Sequence, residues 1–296
     1  MSPSSSGPLL LGALLSSALT FVRTYSKPVL IGAVIFGTVA ALIGGSVAYK
    51  AGTGFKGMMD GMGIDADEIQ ALSERVGNGD ESAMDDMEKM LNDSVGSMEN
   101  GVPAAMRSEM LGLFGPLLGV AALIGIIIAV FAHAYFLLLA LSPTQNAMAV
   151  LRKTPALFLP LLGTWIWIGL RSFIWIPFLG IIPAIILGPR FALAPVILVK
   201  EKKGVMESVS ESYSRTKGYW GKIVGNMIVA CLCVVLASIV AGIAISIIGF
   251  MVPVASLWLQ AIVKEVLSAF MIVFTVHLAT TILANPMGGA KTAKKK

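Results

Sequence analysis

Long apolar runs without charge alternate with short charged segments along this chain of 296 residues. A transmembrane helix needs about 20 apolar residues to cross a hydrocarbon core about 30 Å thick. Runs of that length predict six spans, at Pro28–Ala48, Leu111–Leu141, two crossings within 156–199 that join near Arg171–Pro177, Ile223–Phe250 and Ala261–Ala284. We therefore expect an all-α fold, a polytopic membrane helix bundle that forms one integral membrane domain over residues 1–296.

Residue spacing within two of these spans predicts how they pack. Small residues recur every four positions in the first span and form a stripe, at Ala33, Gly37, Ala41 and Gly45. Such a stripe lets another helix approach closely. Prolines recur every six positions in the fourth span, at Pro177, Pro183, Pro189 and Pro195. Because each proline removes a backbone donor, this helix should be kinked or broken.

Two segments before the second span lie outside the predicted bundle. Residues 8–25 are apolar but too short to cross, and the first positive charge, Arg23, follows the apolar stretch, unlike in a secretory signal. We expect an interfacial helix there. Residues 51–109 carry four basic and thirteen acidic residues, a net charge of −9. They predict an acidic, methionine-rich insertion with short helices that follow Asp65 and cover 81–95.

Basic residues lie next to the other ends of the spans. The stretch from Gly204 to Gly218 predicts an amphipathic helix whose apolar face holds Val205, Met206, Val209 and Tyr213. An i,i+4 pair is expected between Glu211 and Arg215. Residues 286–296 predict a disordered basic tail.

The distribution of charge predicts an orientation in the membrane. Under the six-span topology every basic segment falls on one side, and 51–109 falls on the other. Short loops rich in Lys and Arg stay in the cytoplasm. We expect a multi-pass protein of the cytoplasmic (inner) membrane with both termini cytoplasmic and 51–109 extracytoplasmic. The expected partners are the lipid bilayer, anionic headgroups at the basic face, and a membrane-protein partner or a second copy. Nucleic acid is not expected, because the bases lie beside apolar runs.

Composition excludes several classes of protein. The residues AVILMFWYC make up 56% of the chain, and only 13% is charged, whereas soluble domains carry about 25% charged residues. An ordinary cytosolic enzyme or a disordered chain does not have this balance. The sequence contains no zinc-protease, nucleophile-elbow or dinucleotide motif. We therefore expect no enzyme activity, no catalytic residues and no cofactor.

A few residues remain as candidates for a site. Arg190 is the deepest predicted charge, and it should face the bundle as a structural contact or as a site for an anion or a phosphate-bearing lipid. His133 and His277 lie in apolar spans, where a histidine either bonds to a neighbouring helix or ligates a metal or haem. Met58, Met59 and Met62 could bind Cu(I) through their thioethers or fill the apolar face of a helix. The adjacent Lys264 and Glu265 are expected to reach a membrane surface and neutralise each other.

One stretch resembles a known family. Ile182–Glu201 reads IPAIILGPRFALAPVILVKE, and Gly204, Glu207-Ser208, Ser212 and Lys217-Gly218-Tyr-Trp220 follow it. This pattern is similar to the membrane domain found with some bacterial glycerophosphoryl diester phosphodiesterases and in its stand-alone relatives. The chain lacks the soluble phosphodiesterase domain, so the resemblance implies a bacterial or archaeal membrane protein without that activity.

Three functions follow as hypotheses. The first is a non-enzymatic scaffold, anchor or partner-binding module. The second is a transporter or lipid-handling protein that uses the proline-broken fourth span. The third is an extracytoplasmic copper sensor that uses the methionine-rich insertion.

Overall fold

The computed structural model describes residues 11–61, 66–78, 80, 82–86, 88–89, 104–173, 176 and 180–284. These residues are almost entirely helical, and no strand occurs among them. The helices are α1 (Leu11–Thr24), α2 (Ser26–Gly61), α3 (Ala66–Gly77), α4 (Ala104–Leu141), α5 (Ala147–Arg171), α6 (Ile181–Phe191), α7 (Ala194–Lys200), α8 (Val205–Arg215), α9 (Trp220–Met251) and α10 (Pro253–Ala284). The predicted basic tail, 286–296, lies outside the described residues.

Five stretches of helix among the described residues are long and apolar enough to cross a membrane, at Ser26–Gly54, Gly115–Leu141, Ile182–Lys200, Trp220–Met251 and Ala255–Ala284. The predicted all-α, multi-pass membrane bundle is therefore confirmed. Helix α5 is 25 residues long but is not one of the five, since Pro155, Pro160 and terminal charges lower its hydropathy. Six spans therefore remain a prediction.

The helices that flank the acidic insertion are longer than predicted. Helix α2 continues without a break to Gly61, 13 residues past the expected end of the first span at Ala48. Helix α4 begins at Ala104, directly after Pro103, whereas the apolar run starts at Leu111. Charged residues mark where an apolar span ends, but they do not end a helix, which needs a proline or a capping residue.

The chain divides into two compact units, Met1–Ala41 with Ile126–Lys296, and Leu42–Gly125. The second unit contains α3, which begins beside Asp65 as predicted and buries Leu72. After α3 the backbone turns, and Arg75 forms ion pairs with Asp80 at 2.8 Å and Asp86 at 3.5 Å. Only 82–86 and 88–89 of the second predicted short helix are described, and they are helical.

In the first unit, α1 packs along α10. Leu14, Ala18 and Phe21 recur on one face of α1 and are buried. The ring of Phe21 meets the edge of the His277 ring, with centroids 6.4 Å apart. The apolar face of the expected interfacial helix is thus covered by protein.

Helix α2 contacts its neighbours through residues without bulk. A Cβ atom on Gly37 would lie 3.0 Å from the backbone of Ala261 and Ile262 in α10, and a Cβ on Gly32 would overlap the Tyr135 ring. The Tyr135 hydroxyl donates to the Pro28 carbonyl at 2.7 Å. The predicted small-residue stripe therefore packs as expected at Gly37.

We predict that Gly37→Leu destabilises the protein by about 1–3 kcal/mol, because the side chain meets backbone that cannot move aside. Thermal unfolding in detergent would measure the change. Gly45→Leu is the matched control, since a Cβ at Gly45 meets nothing within 4 Å. Equal effects of the two substitutions would contradict the packing described.

Candidate functional site

The fourth predicted span is broken where its prolines lie. Helix α6 ends at Phe191 and α7 begins at Ala194, although Ala192 and Leu193 keep dihedral angles near the helical region. Pro195 cannot donate to the Phe191 carbonyl, and Pro189 cannot donate to the Ile185 carbonyl. The helix is thus locally interrupted within the apolar stretch Ile182–Lys200.

Side chains from the following segment support this break. Ser212 donates to the Arg190 carbonyl at 2.7 Å, and Thr216 donates to the same oxygen at 3.2 Å. The indole of Trp220 donates to the Ile186 carbonyl at 2.8 Å. Backbone acceptors near the interruption are therefore supplied with donors from outside their own helix, as an apolar environment requires.

The hydrogen bonds from these hydroxyl groups explain why the buried face of α8 differs from the predicted face. Ser208, Val209 and Ser212 are buried, whereas Met206 is 63% exposed and Tyr213 is 40% exposed. Small hydroxyl side chains can be buried here because they donate hydrogen bonds to carbonyl oxygens, as Ser208 does to the Val205 carbonyl. Hydropathy alone cannot rank a satisfied serine above an exposed methionine.

An ion-pair network holds α8 against the end of α7. Arg215 binds both carboxylate oxygens of Glu201, at 2.6 and 3.1 Å, and it also pairs with Glu211 as predicted. Lys203 pairs with Glu211 and lies 3.3 Å from Glu207. Burial alone would raise the pKa of Glu211, but its bonds to Lys203 and Arg215 outweigh burial and lower that pKa.

Arg190 lies outside this network. Its guanidinium carbon is 4.7 Å from the centre of the Tyr213 ring, a cation–π geometry. Its Nε atom is buried without a hydrogen-bond partner among the described residues. Arg190 forms no ion pair among the described residues, and the acids of the α7–α8 segment pair with Lys203 and Arg215. Binding of an anion at Arg190 stays a prediction.

A cavity of about 510 Å³ lies beside the broken helix. Helices α4, α5, α6, α7, α9 and α10 all contribute to its walls. Most of the lining is apolar, and its polar groups come from His133, Trp165, Lys264, Glu265, Ser268 and Thr275. The break itself forms one wall, through Phe191, Ala192 and Pro195.

Two of the side chains that line this cavity each carry a buried polar atom without a hydrogen-bond partner among the described residues. These atoms are Nε2 of His133 and Oε2 of Glu265. Glu265 is only 8% exposed, and the His133 ring meets the edge of the Trp165 ring with centroids 5.2 Å apart. An unpaired buried polar group costs about 1–3 kcal/mol, so these side chains need a partner that the described residues do not supply.

The burial of Glu265 corrects the sequence-based expectation for Lys264 and Glu265. Lys264 is exposed, as expected for a side chain that reaches outward, but Glu265 lies inside the bundle. The two are neighbours on α10, so their side chains leave the helix about 100° apart. The signal that could have identified Glu265 is its position as an acidic residue inside an apolar helix of 30 residues, Ala255–Ala284.

The remaining candidates do not join this cavity. His277 lines a separate cavity of about 350 Å³ between α1 and α10, with hydroxyl groups from Ser16, Ser17, Thr20, Thr24 and Tyr25. No group of three or more His, Cys, Asp or Glu in the described ranges is placed to hold a metal. Met62 lies outside the described residues, as do the side chains of Met58 and Met59.

We predict that acid destabilises the α7–α8 connection through Glu211. Its pKa is lower in the folded protein than the ordinary value of 4.5, so its stabilising contribution is complete above pH 4.5. That contribution is lost as the pH falls through the folded value. In detergent, the melting temperature of Glu211→Gln should fall less on acidification than that of the native protein. Glu207→Gln, at an exposed side chain, should behave like the native protein, and equal slopes for all three would contradict this role.

We also predict that Glu265→Met leaves the protein as stable as the native chain or up to about 3 kcal/mol more stable, because it removes an unpaired buried polar group. Glu211→Met should destabilise it, since Lys203 and Arg215 lose a shared partner. Thermal unfolding of the two variants in the same detergent measures both. A large loss of stability in Glu265→Met would mean that Glu265 holds the bundle together.

Comparisons with protein-family models, curated proteins and solved structures gave no match. The resemblance to the phosphodiesterase membrane-domain family therefore remains a prediction, and functional inference depends on the site alone.

Proposed function

We propose that this chain is a membrane transporter whose ligand site is the cavity lined by His133 and Glu265. The observation that carries the proposal is that two side chains with an unpartnered buried atom, His133 and Glu265, line one cavity beside a broken helix. An ionisable residue inside a membrane bundle is by default a candidate for a ligand or ion pathway. The cavity volume of about 510 Å³ lies within the range of about 300–1,000 Å³ typical of small-molecule sites.

The parts of the site have separate roles in this proposal. Glu265 and His133 bind the polar part of the ligand, and the Trp165 ring supports the imidazole of His133. The interruption between α6 and α7 is the element that moves, because its missing backbone bonds lower the cost of bending. Transporters commonly place their sites at such discontinuous helices.

The surroundings of the transporter follow from the charge pattern. We place it in the cytoplasmic membrane with both termini cytoplasmic and the acidic insertion outside, since this arrangement keeps the basic segments on the cytoplasmic side. Anionic headgroups would then contact the basic face. The scaffold or anchor role stays a prediction, and it differs in a testable way because a scaffold does not need its interior to open to either side.

Accessibility from both sides tests transport without knowledge of the ligand. In a chain with Cys231→Ala and Cys233→Ala, a cysteine replaces Ser268, which lines the cavity. Right-side-out and inside-out membrane vesicles are treated with a membrane-impermeant maleimide. We expect Ser268→Cys to be labelled in both vesicle types, because an alternating site opens to each side in turn.

The adjacent position provides the control. Ala269 is fully buried and does not line the cavity, so Ala269→Cys should be labelled in neither vesicle type. Labelling of Ser268→Cys in only one vesicle type, or in neither, would contradict transport and favour the scaffold role.

A further inference from the structure

A second cavity adjoins the first and extends the site toward the lipid. It has a volume of about 630 Å³ and lies between α9 and α10. Lys264, Ser268 and Met271 line both cavities. The two cavities therefore meet at one face of α10.

The outer wall of this second cavity belongs to the helix most exposed to lipid. Only 11% of the apolar window of α9 is buried, and large apolar side chains cover its outer surface, at Leu236, Ile239, Val240, Ile243 and Ile247. A ligand that reaches the site along α9 therefore passes through apolar surroundings. This path favours a ligand that is itself soluble in the bilayer.

The first cavity requires one polar group of defined chemistry from its ligand. Oε2 of Glu265 and Nε2 of His133 both lack partners. A carboxylate oxygen only accepts hydrogen bonds, and a neutral imidazole accepts through the nitrogen that carries no proton. An ammonium group carries several N–H donors and can donate to an acceptor of either kind. Aromatic rings at Trp165 and Phe191 line the same space and favour a cation.

On these observations, and resting on the proposed transport function, we propose that the cavity binds a lipophilic primary or secondary ammonium ion in exchange for a proton on Glu265. Without ligand, Glu265 is an uncharged carboxylic acid, because an isolated carboxylate in this environment is unstable. When the ammonium ion enters, the carboxyl O–H bond breaks and the proton leaves to water. The carboxylate then pairs with the ammonium, so one positive charge enters the cavity and one leaves.

The other charged and titratable groups around the cavity allow this exchange. His133 faces it from α4, and Lys264 lies beside Glu265 on α10. The described residues that α5, α6, α7 and α9 contribute to the lining carry no charge. Lys264 is exposed, so its ammonium can turn outward when a cation occupies the site.

Isothermal titration of the detergent-solubilised full chain tests the ligand class with three matched probes. They are 1-naphthylmethylammonium, the neutral 1-naphthalenemethanol and the anionic 2-naphthalenesulfonate. We expect the ammonium to bind at least about tenfold more tightly than the alcohol, since a charge-assisted hydrogen bond contributes about this much. Titrations in two buffers of different ionisation enthalpy should show release of about one proton for each ammonium bound.

Two variants assign the effect to the site. Glu265→Gln should weaken ammonium binding at least about tenfold, abolish proton release and leave binding of the alcohol unchanged. Glu207→Gln, at a carboxylate on α8 away from the cavity, should change neither. The assignment is supported if the ammonium and the alcohol bind with equal affinity to Glu265→Gln but not to Glu207→Gln.

The results that would contradict the proposed ligand class differ from those that would contradict transport. Equal binding of the ammonium and the alcohol, or binding of neither, would overturn the ligand class. Preferred binding of the sulfonate that is lost in Lys264→Met would overturn it in favour of an anionic ligand. In each case the cysteine labelling at position 268 decides independently whether the cavity opens to both sides.

Discussion

A polar atom removed from water inside an apolar bundle must receive a hydrogen-bond partner, and this constraint determines most of the structure described above. The Tyr135 hydroxyl bonds to the Pro28 carbonyl, and Thr154, Thr164 and Thr275 bond to carbonyls of their own helices. Exceptions are few among the described residues. They are side-chain atoms of His133, Trp167, Ser172, Arg190, Asn226 and Glu265. Two of them line one cavity, which is why that cavity carries the functional argument.

The same constraint links the broken helix to the segment that follows it. Prolines at 189 and 195 remove the usual donors to the Ile185 and Phe191 carbonyls, and the hydroxyls of Ser212 and Thr216 donate to the Arg190 carbonyl that lies between them. The ion pair of Arg215 with Glu201 joins α8 to the end of α7, beside the break. A substitution in this network is therefore expected to act on the cavity wall through α8.

Sequence periodicity predicted the fold class because each apolar run is long enough to specify a span by itself. The close approach at Gly37 was also predictable, since a stripe of small residues has few other uses in a membrane helix. Helix α2 continues to Gly61 past its apolar run because no proline interrupts it. Two features depended on tertiary contacts and were not predictable. The face of α8 is set by hydroxyl groups at Ser208 and Ser212, and Glu265 is buried while its neighbour Lys264 is exposed. In each case the burial of the residue depends on its contacts with a neighbouring helix, which the hydropathy of the residue does not predict.

The account depends most on Glu265 being a protonated carboxyl group that a ligand can reach from the apolar phase. Dicyclohexylcarbodiimide, a lipid-soluble reagent, reacts with protonated carboxyl groups, and peptide mass spectrometry locates its adducts. We expect an adduct at Glu265 in the native full chain and none at Glu201, Glu207 or Glu211, whose carboxylates form ion pairs with Arg215 or Lys203. An unmodified Glu265 in folded protein, or modification of these three acids in preference to it, would contradict the central claim.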